Sequence, residues 1–155
     1  MSQKPDFDLG SAHRYFSAEC FNRTWDFIQK PKRTAEDSQK MILLSLASLW
    51  HWTQRSDCTP TNLSIGYWQA SRVYALVEQV ENARIYGQLC LKASQGDGVL
   101  PFYLGYAYEA LARVEMVAGN REKMANYLQQ AFQVAEQISD PEEKKMLMDD
   151  LSTIQ

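Results

Sequence analysis

Little in this chain invites a β-sheet, a membrane span or a metal cluster. No Asn-Gly or Asp-Gly turn lies between alternating apolar runs, so strand pairs have no punctuation. Seven glycines and five prolines in 155 residues, alongside 12% aromatics, exclude a collagen-like or disordered chain. The most apolar stretch, Met41 to Trp50, is far shorter than the ~20 residues that cross a bilayer. The first ten residues place no apolar run behind a basic segment, so no signal peptide is expected. Cys20, Cys58 and Cys90 form no CxxC pair, which leaves zinc knuckles and thioredoxin-like sites unsignalled. Cys20 and Cys90 fall inside apolar helical patterns and read as small core residues, Cys58 as a turn residue. Free thiols and a cytoplasmic location are expected.

An excess of basic charge is also missing. Sixteen Lys and Arg against nineteen Asp and Glu give a net charge of −3, and the pI is near 5.4. Sequence-independent nucleic-acid binding needs a basic footprint that releases counterions, so it is not expected. The motifs of known catalysts are absent as well: there is no GxSxG, HExxH, Walker loop or GxGxxG. Gly96-Asp97-Gly98 reads as a loop, because no strand precedes it and no Gly-Lys-Ser/Thr follows. The two histidines, His13 and His51, lie 38 residues apart on different predicted helices, too few ligands for a metal centre. No cofactor and no metal are expected.

What the chain does have is helical punctuation. Ser11 is placed to cap a first helix running to about Lys30, where Pro31 stops it. Thr34 and Asp37 form a capping-box pattern for a second helix to about Gln54. Thr59-Pro60 opens a third, along which Leu63, Tyr67, Ala70, Tyr74 and Val77 make one apolar stripe. A break near Gln79 leads into a fourth helix ending around Ala93, and Ser94 to Pro101 is a loop. The fifth helix runs from Phe102 to Ala118 and ends at Gly119; Asn120 caps a sixth that carries its stripe to Ile138. Asp140-Pro141-Glu142-Glu143 starts a seventh, with Met146, Leu147 and Leu151 inward and Glu142, Lys144 and Asp150 outward. The expected fold is all-α: one domain over 1–155, with antiparallel hairpins at 11–54, 60–93 and 102–138 and a capping helix at 140–153.

The second and third hairpins also repeat. An offset of 41 residues pairs Tyr67 with Tyr108, Ala70 with Leu111, Ser71 with Ala112, Tyr86 with Tyr127 and Cys90 with Ala131. Gly87, Ala83 and Cys90 share one helical face, which lets a neighbouring helix approach closely.

At these residues the chain resembles the tetratricopeptide repeat. That family places an aromatic early in the first helix of each unit, then a small residue and a tyrosine, and alanines in the second helix. Tyr67, Ser71, Tyr74, Ala83 and Cys90 match in one unit; Tyr108, Ala112, the Gly119 turn and Ala131 match in the other. Gly87, Glu115 and Met124 depart from the pattern, and the period is 41 where the family has about 34. The resemblance implies hairpins stacked into a right-handed superhelix that binds peptides or assembles proteins. It also implies that Trp68, Gln69 and Arg72, with Tyr106, Glu109 and Arg113, line a concave groove. Two arginines beside aromatic rings suit an acidic group on a partner.

The expected function is therefore that of a non-enzymatic protein- or peptide-binding scaffold, with a homodimer as a close variant. Two alternatives stand beside it. The same residues also read as core, with Arg72 or Arg113 paired internally to Glu109. A small-molecule binder or enzyme would instead use a pocket near His51, Trp52, Trp68 and Arg72.

Overall fold

The computed structural model describes residues 3–155. Among them are seven α-helices and no strand: α1 (Leu9–Ile28), α2 (Ala35–Thr53), α3 (Pro60–Leu76), α4 (Val80–Ser94), α5 (Pro101–Ala118), α6 (Arg121–Ala135) and α7 (Pro141–Leu151). The helices fall into two compact units, one ending at Thr59 and the other running from Pro60 to Gln155. No helix among the described residues is long and apolar enough to cross a membrane.

Most helix ends follow local chemistry. The Thr34 and Asp37 capping box is closed both ways, with each side chain accepting the other's backbone N–H at 3.1 Å. Asn120 Oδ1 accepts the Lys123 N–H at 3.1 Å, and Asp140 Oδ1 accepts those of Glu142 and Glu143 at 2.8 and 3.1 Å. Each such cap contributes about 1 kcal/mol. Prolines open α3, α5 and α7, where the missing N–H has no intrahelical partner to lose. Gly119 ends α5 with φ 73°, a left-handed turn that a side chain would strain.

Four local expectations need correcting. Asp8, not Ser11, caps α1: its Oδ2 accepts the Ser11 N–H at 2.7 Å, so the helix starts at Leu9 and ends at Ile28. α6 stops at Ala135, yet Ile138 is still buried, in the turn beyond the helix. On α7, Leu147 and Leu151 point inward but Met146 is 55% exposed. The buried stripe there is Leu147, Leu151 and Ile154, and Met146 lies off it. Asp150, expected outward, accepts a hydrogen bond from α5 instead.

In the first unit α1 packs on α2 along a seam of small side chains. Ser17, Cys20 and Thr24 face Met41, Ser45, Ser48 and Leu49. Ser48 donates to the Ser17 carbonyl at 2.7 Å, tying the helices together.

In the second unit α5 is the central helix, packed against α3, α4, α6 and α7. Glycine makes two of these approaches possible. A Cβ at Gly87 would sit 2.7 Å from Leu111 Cδ2 and 3.3 Å from Ser71 Oγ; one at Gly105 would sit 2.5 Å from Leu147 Cδ2. Tyr74 stacks on Tyr86 beside the Gly87 contact, with ring centroids 5.5 Å apart. Ala112, Ala131, Ala135, Ile138, Leu147, Leu151 and Ile154 form the core under α7.

Candidate functional site

Of the residues expected to line a groove on α3 and α5, Trp68, Tyr106, Glu109 and Arg113 meet, and they meet inside the second unit. Trp68 Nε1 donates to Glu109 Oε2 at 2.9 Å. Glu109 Oε1 accepts from Arg113 Nε at 2.6 Å, and Arg113 Nη2 reaches the Asp150 carbonyl at 3.2 Å and Thr153 Oγ1 at 2.9 Å. Tyr106 Oη donates to Asp150 Oδ2 at 2.6 Å, and its ring meets Trp68 edge-on at 5.8 Å. Burial pushes the Tyr106 phenol well up, and the Asp150 carboxylate pushes it further. Gln69, Glu109 and Arg113 are buried, whereas Trp68, Arg72 and Tyr106 are half-buried. Trp68 and Glu109 are equivalents under the 41-residue offset, and they bond each other across α3 and α5.

A second ion pair lies beside this network, between α4 and α5. Arg84 donates to both Glu115 oxygens, at 2.7 and 3.0 Å, and also to Glu81. Glu115 is 2% exposed, and the Arg84 guanidinium holds its carboxyl below the usual range. Patterning along single helices does not pair these residues, which are 31 apart. A glutamate at a position where the resembled family has a tyrosine was the available signal.

His51 and Trp52 belong to the first unit. The Arg55 guanidinium lies 3.8 Å over the Trp52 ring, bonds Asp57 at 2.8 and 2.7 Å, and donates to Ser17 Oγ at 2.9 Å. Arg55 holds the Asp57 carboxyl down at about 2. His51 does not stand alone: its Nδ1 is 2.8 Å from His13 Nδ1, one ring donating and the other accepting. Burial, then the neighbouring imidazole, pushes His51 down. Phe16 and Trp50 border the pair, with centroids 5.4 and 4.9 Å from the His51 ring. No group of three or more His, Cys, Asp or Glu side chains among the described residues is placed to hold a metal.

The same hairpin carries an apolar surface. Tyr15, Phe16, Leu43 and Trp50 are 60%, 44%, 61% and 55% exposed. Leu43 also lines a cleft of about 330 Å³, together with Phe27, Leu44, Ala47, Arg23 and Lys40.

The three cysteines are free thiols. Burial pushes Cys90 up to about 12, and it raises Cys20 and the half-buried Cys58 as well. Because the thiolate is the reactive form, a mild alkylating reagent at neutral pH is expected to label Cys58 first. Cys90 should be labelled only when the second unit unfolds, which mass spectrometry of digested samples along a urea series will show. Labelling of Cys90 in the native protein as fast as Cys58 would contradict its placement.

Compared with protein-family models, curated proteins and solved structures, the chain matches none of them.

Proposed function

We propose that this chain is a non-enzymatic protein-binding module built of helical hairpins, and that it takes an acidic, amphipathic segment of a partner on the α1–α2 hairpin. The cleft lined by Phe27, Leu43, Leu44 and Ala47 carries the reading, because it joins an apolar floor to two cations, Arg23 and Lys40. Lys40 is paired with Glu36 at 2.6 Å, but both side chains are more than half exposed. Such pairs contribute little, so exchanging Glu36 for a partner carboxylate costs little. Ring contacts join Tyr15 to Phe16, Phe16 to His51 and His51 to Trp50, so the same hairpin carries a run of aromatic surface besides the cleft. Contiguous apolar surface of this kind marks interaction sites more often than isolated exposed residues do.

The likeness to tetratricopeptide repeats supports a binding role. A second copy of the chain is the rival occupant.

A photo-crosslinking residue placed at Leu43 should capture a partner segment that one placed at the exposed Lys145 does not. Leu43→Glu, and Arg23→Glu with Lys40→Glu, should each weaken that segment about thirtyfold, the scale of losing one interface hot spot. Capture of the chain itself, with a dimer on sedimentation, would replace the partner by a second copy. Equal capture at both positions would overturn the reading.

A further inference from the structure

We propose that His13 and His51 form a two-imidazole chelate for a borderline divalent transition-metal cation, zinc or nickel in character rather than magnesium or calcium. The two residues come from different helices, 38 positions apart, and yet present the same ring nitrogen to one point, Nδ1 to Nδ1 at 2.8 Å. Aromatic packing sets both rings: His13 lies edge-on to Trp50 at 5.4 Å, and His51 is tilted on Phe16 at 5.4 Å. The pair is thus oriented before any ligand arrives.

Neutral imidazole nitrogen is the donor that zinc, nickel and copper favour, while magnesium and calcium favour oxygen. Zinc–nitrogen bonds of about 2.0–2.1 Å at a tetrahedral angle place two ligating nitrogens roughly 3.3 Å apart. The two nitrogens therefore need to separate by about half an ångström from their present contact, and each ring to swing so that its Nδ1 lone pair turns from the other nitrogen toward the cation.

The proton balance is simple. In the bonded pair one ring carries its proton on Nδ1. When a cation takes both Nδ1 atoms, that proton moves through water to the same ring's Nε2, and none is released from two neutral rings. With no three-ligand cluster present among the described residues, the other coordination positions fall to water. Both histidines are half-buried and Phe16 and Trp50 are exposed, so the pair lies near solvent. The site is open and exchangeable, unlike a closed structural zinc.

Zinc chloride titrated into the full chain tests this, with Cys58→Ser removing the most accessible thiol. One zinc per chain is expected by calorimetry, with the Nδ1 resonances of both histidines shifting in nitrogen-detected NMR. Either His13→Ala or His51→Ala should weaken binding about a hundredfold or more, because one imidazole forfeits the effective concentration of the second. Zinc that leaves either Nδ1 resonance in place, or a variant that binds as the parent does, would overturn the chelate. Should an alanine variant lose its helical circular dichroism, the two nitrogen shifts in the parent decide the matter alone.

Discussion

Arg113→Ala is expected to lower the stability of the second unit by about 3–5 kcal/mol, the cost of breaking a buried ion pair from one side. Glu109 is 2% exposed and Arg113 7%, so neither charge has bulk water to fall back on. Removing the guanidinium leaves the Glu109 carboxylate with the Trp68 indole N–H at 2.9 Å. It also removes the guanidinium's bonds to the Asp150 carbonyl and Thr153 Oγ1, which fasten the end of α7 to α5; those two groups keep their bond to each other at 2.6 Å. Replacing both partners, Glu109→Leu with Arg113→Met, should recover most of the loss, because no charge is then stranded. A deficit of about 1–3 kcal/mol should remain for the lost Trp68–Glu109 hydrogen bond. Trp68 is the one tryptophan between Pro60 and Gln155. Urea unfolding followed by fluorescence, with Trp25, Trp50 and Trp52 changed to Phe, therefore reports on this unit. A loss under ~1 kcal/mol for Arg113→Ala would mean that the pair is solvated. The functional consequence runs the same way: a ligand carboxylate that reaches for Arg113 has to displace Glu109 first.

How far the sequence revealed this structure depends on how far each cause reaches along the chain. Caps act over three or four residues, so Thr34 with Asp37, Asn120, Asp140 and the Gly119 turn were all legible. The Asp8 cap was obscured because Ser11, itself a good capping residue, stands one turn later and supplies the N–H that Asp8 accepts. Small residues at Gly87 and Cys90 announced a close helix contact, since a periodic face without bulk has few other uses. Contacts set by packing between helices were not legible. His13 with His51, Arg84 with Glu115 and Tyr106 with Asp150 are 38, 31 and 44 residues apart. Each depends on the rotation of two helices about their axes, which no single helix encodes. Asp150 shows the limit most clearly: on α7 alone it belongs to the polar face, and only the Tyr106 hydroxyl on α5 turns it inward. For the α3–α5 network, a stripe of aromatics and arginines is compatible with a groove and with an interior, because both demand polar groups at helical spacing. The exposure of Phe16 and Leu43 was likewise not legible, because which face of α1 and of α2 is covered is decided by the packing of one helix on the other.

Leu147→Ala should be the most damaging apolar truncation in the second unit, at about 2–5 kcal/mol. Leu147 is fully buried and belongs to the core cluster that α7 shares with Ala112, Ala131 and Ala135. Its Cδ2 also fills the space over Gly105, where a Cβ would lie 2.5 Å from it and 3.7 Å from Val134 Cγ1. Gly105→Ala alone sets two effects against each other. Helix propensity favours alanine by up to ~1 kcal/mol, while forcing a methyl into this contact costs about 1–3 kcal/mol. Overpacking should win, because Leu147 has no exposed side to move towards. In the double variant the new methyl occupies part of the space that the lost isobutyl group leaves. The combined loss should therefore fall short of the sum of the single losses by about 1 kcal/mol or more, within the coupling seen for residues in contact. Denaturant midpoints of the four proteins, read through Trp68 with a common slope, measure that difference. Strict additivity would mean that Gly105 and Leu147 do not touch, and the account of how α7 is seated on α5 would fall with it.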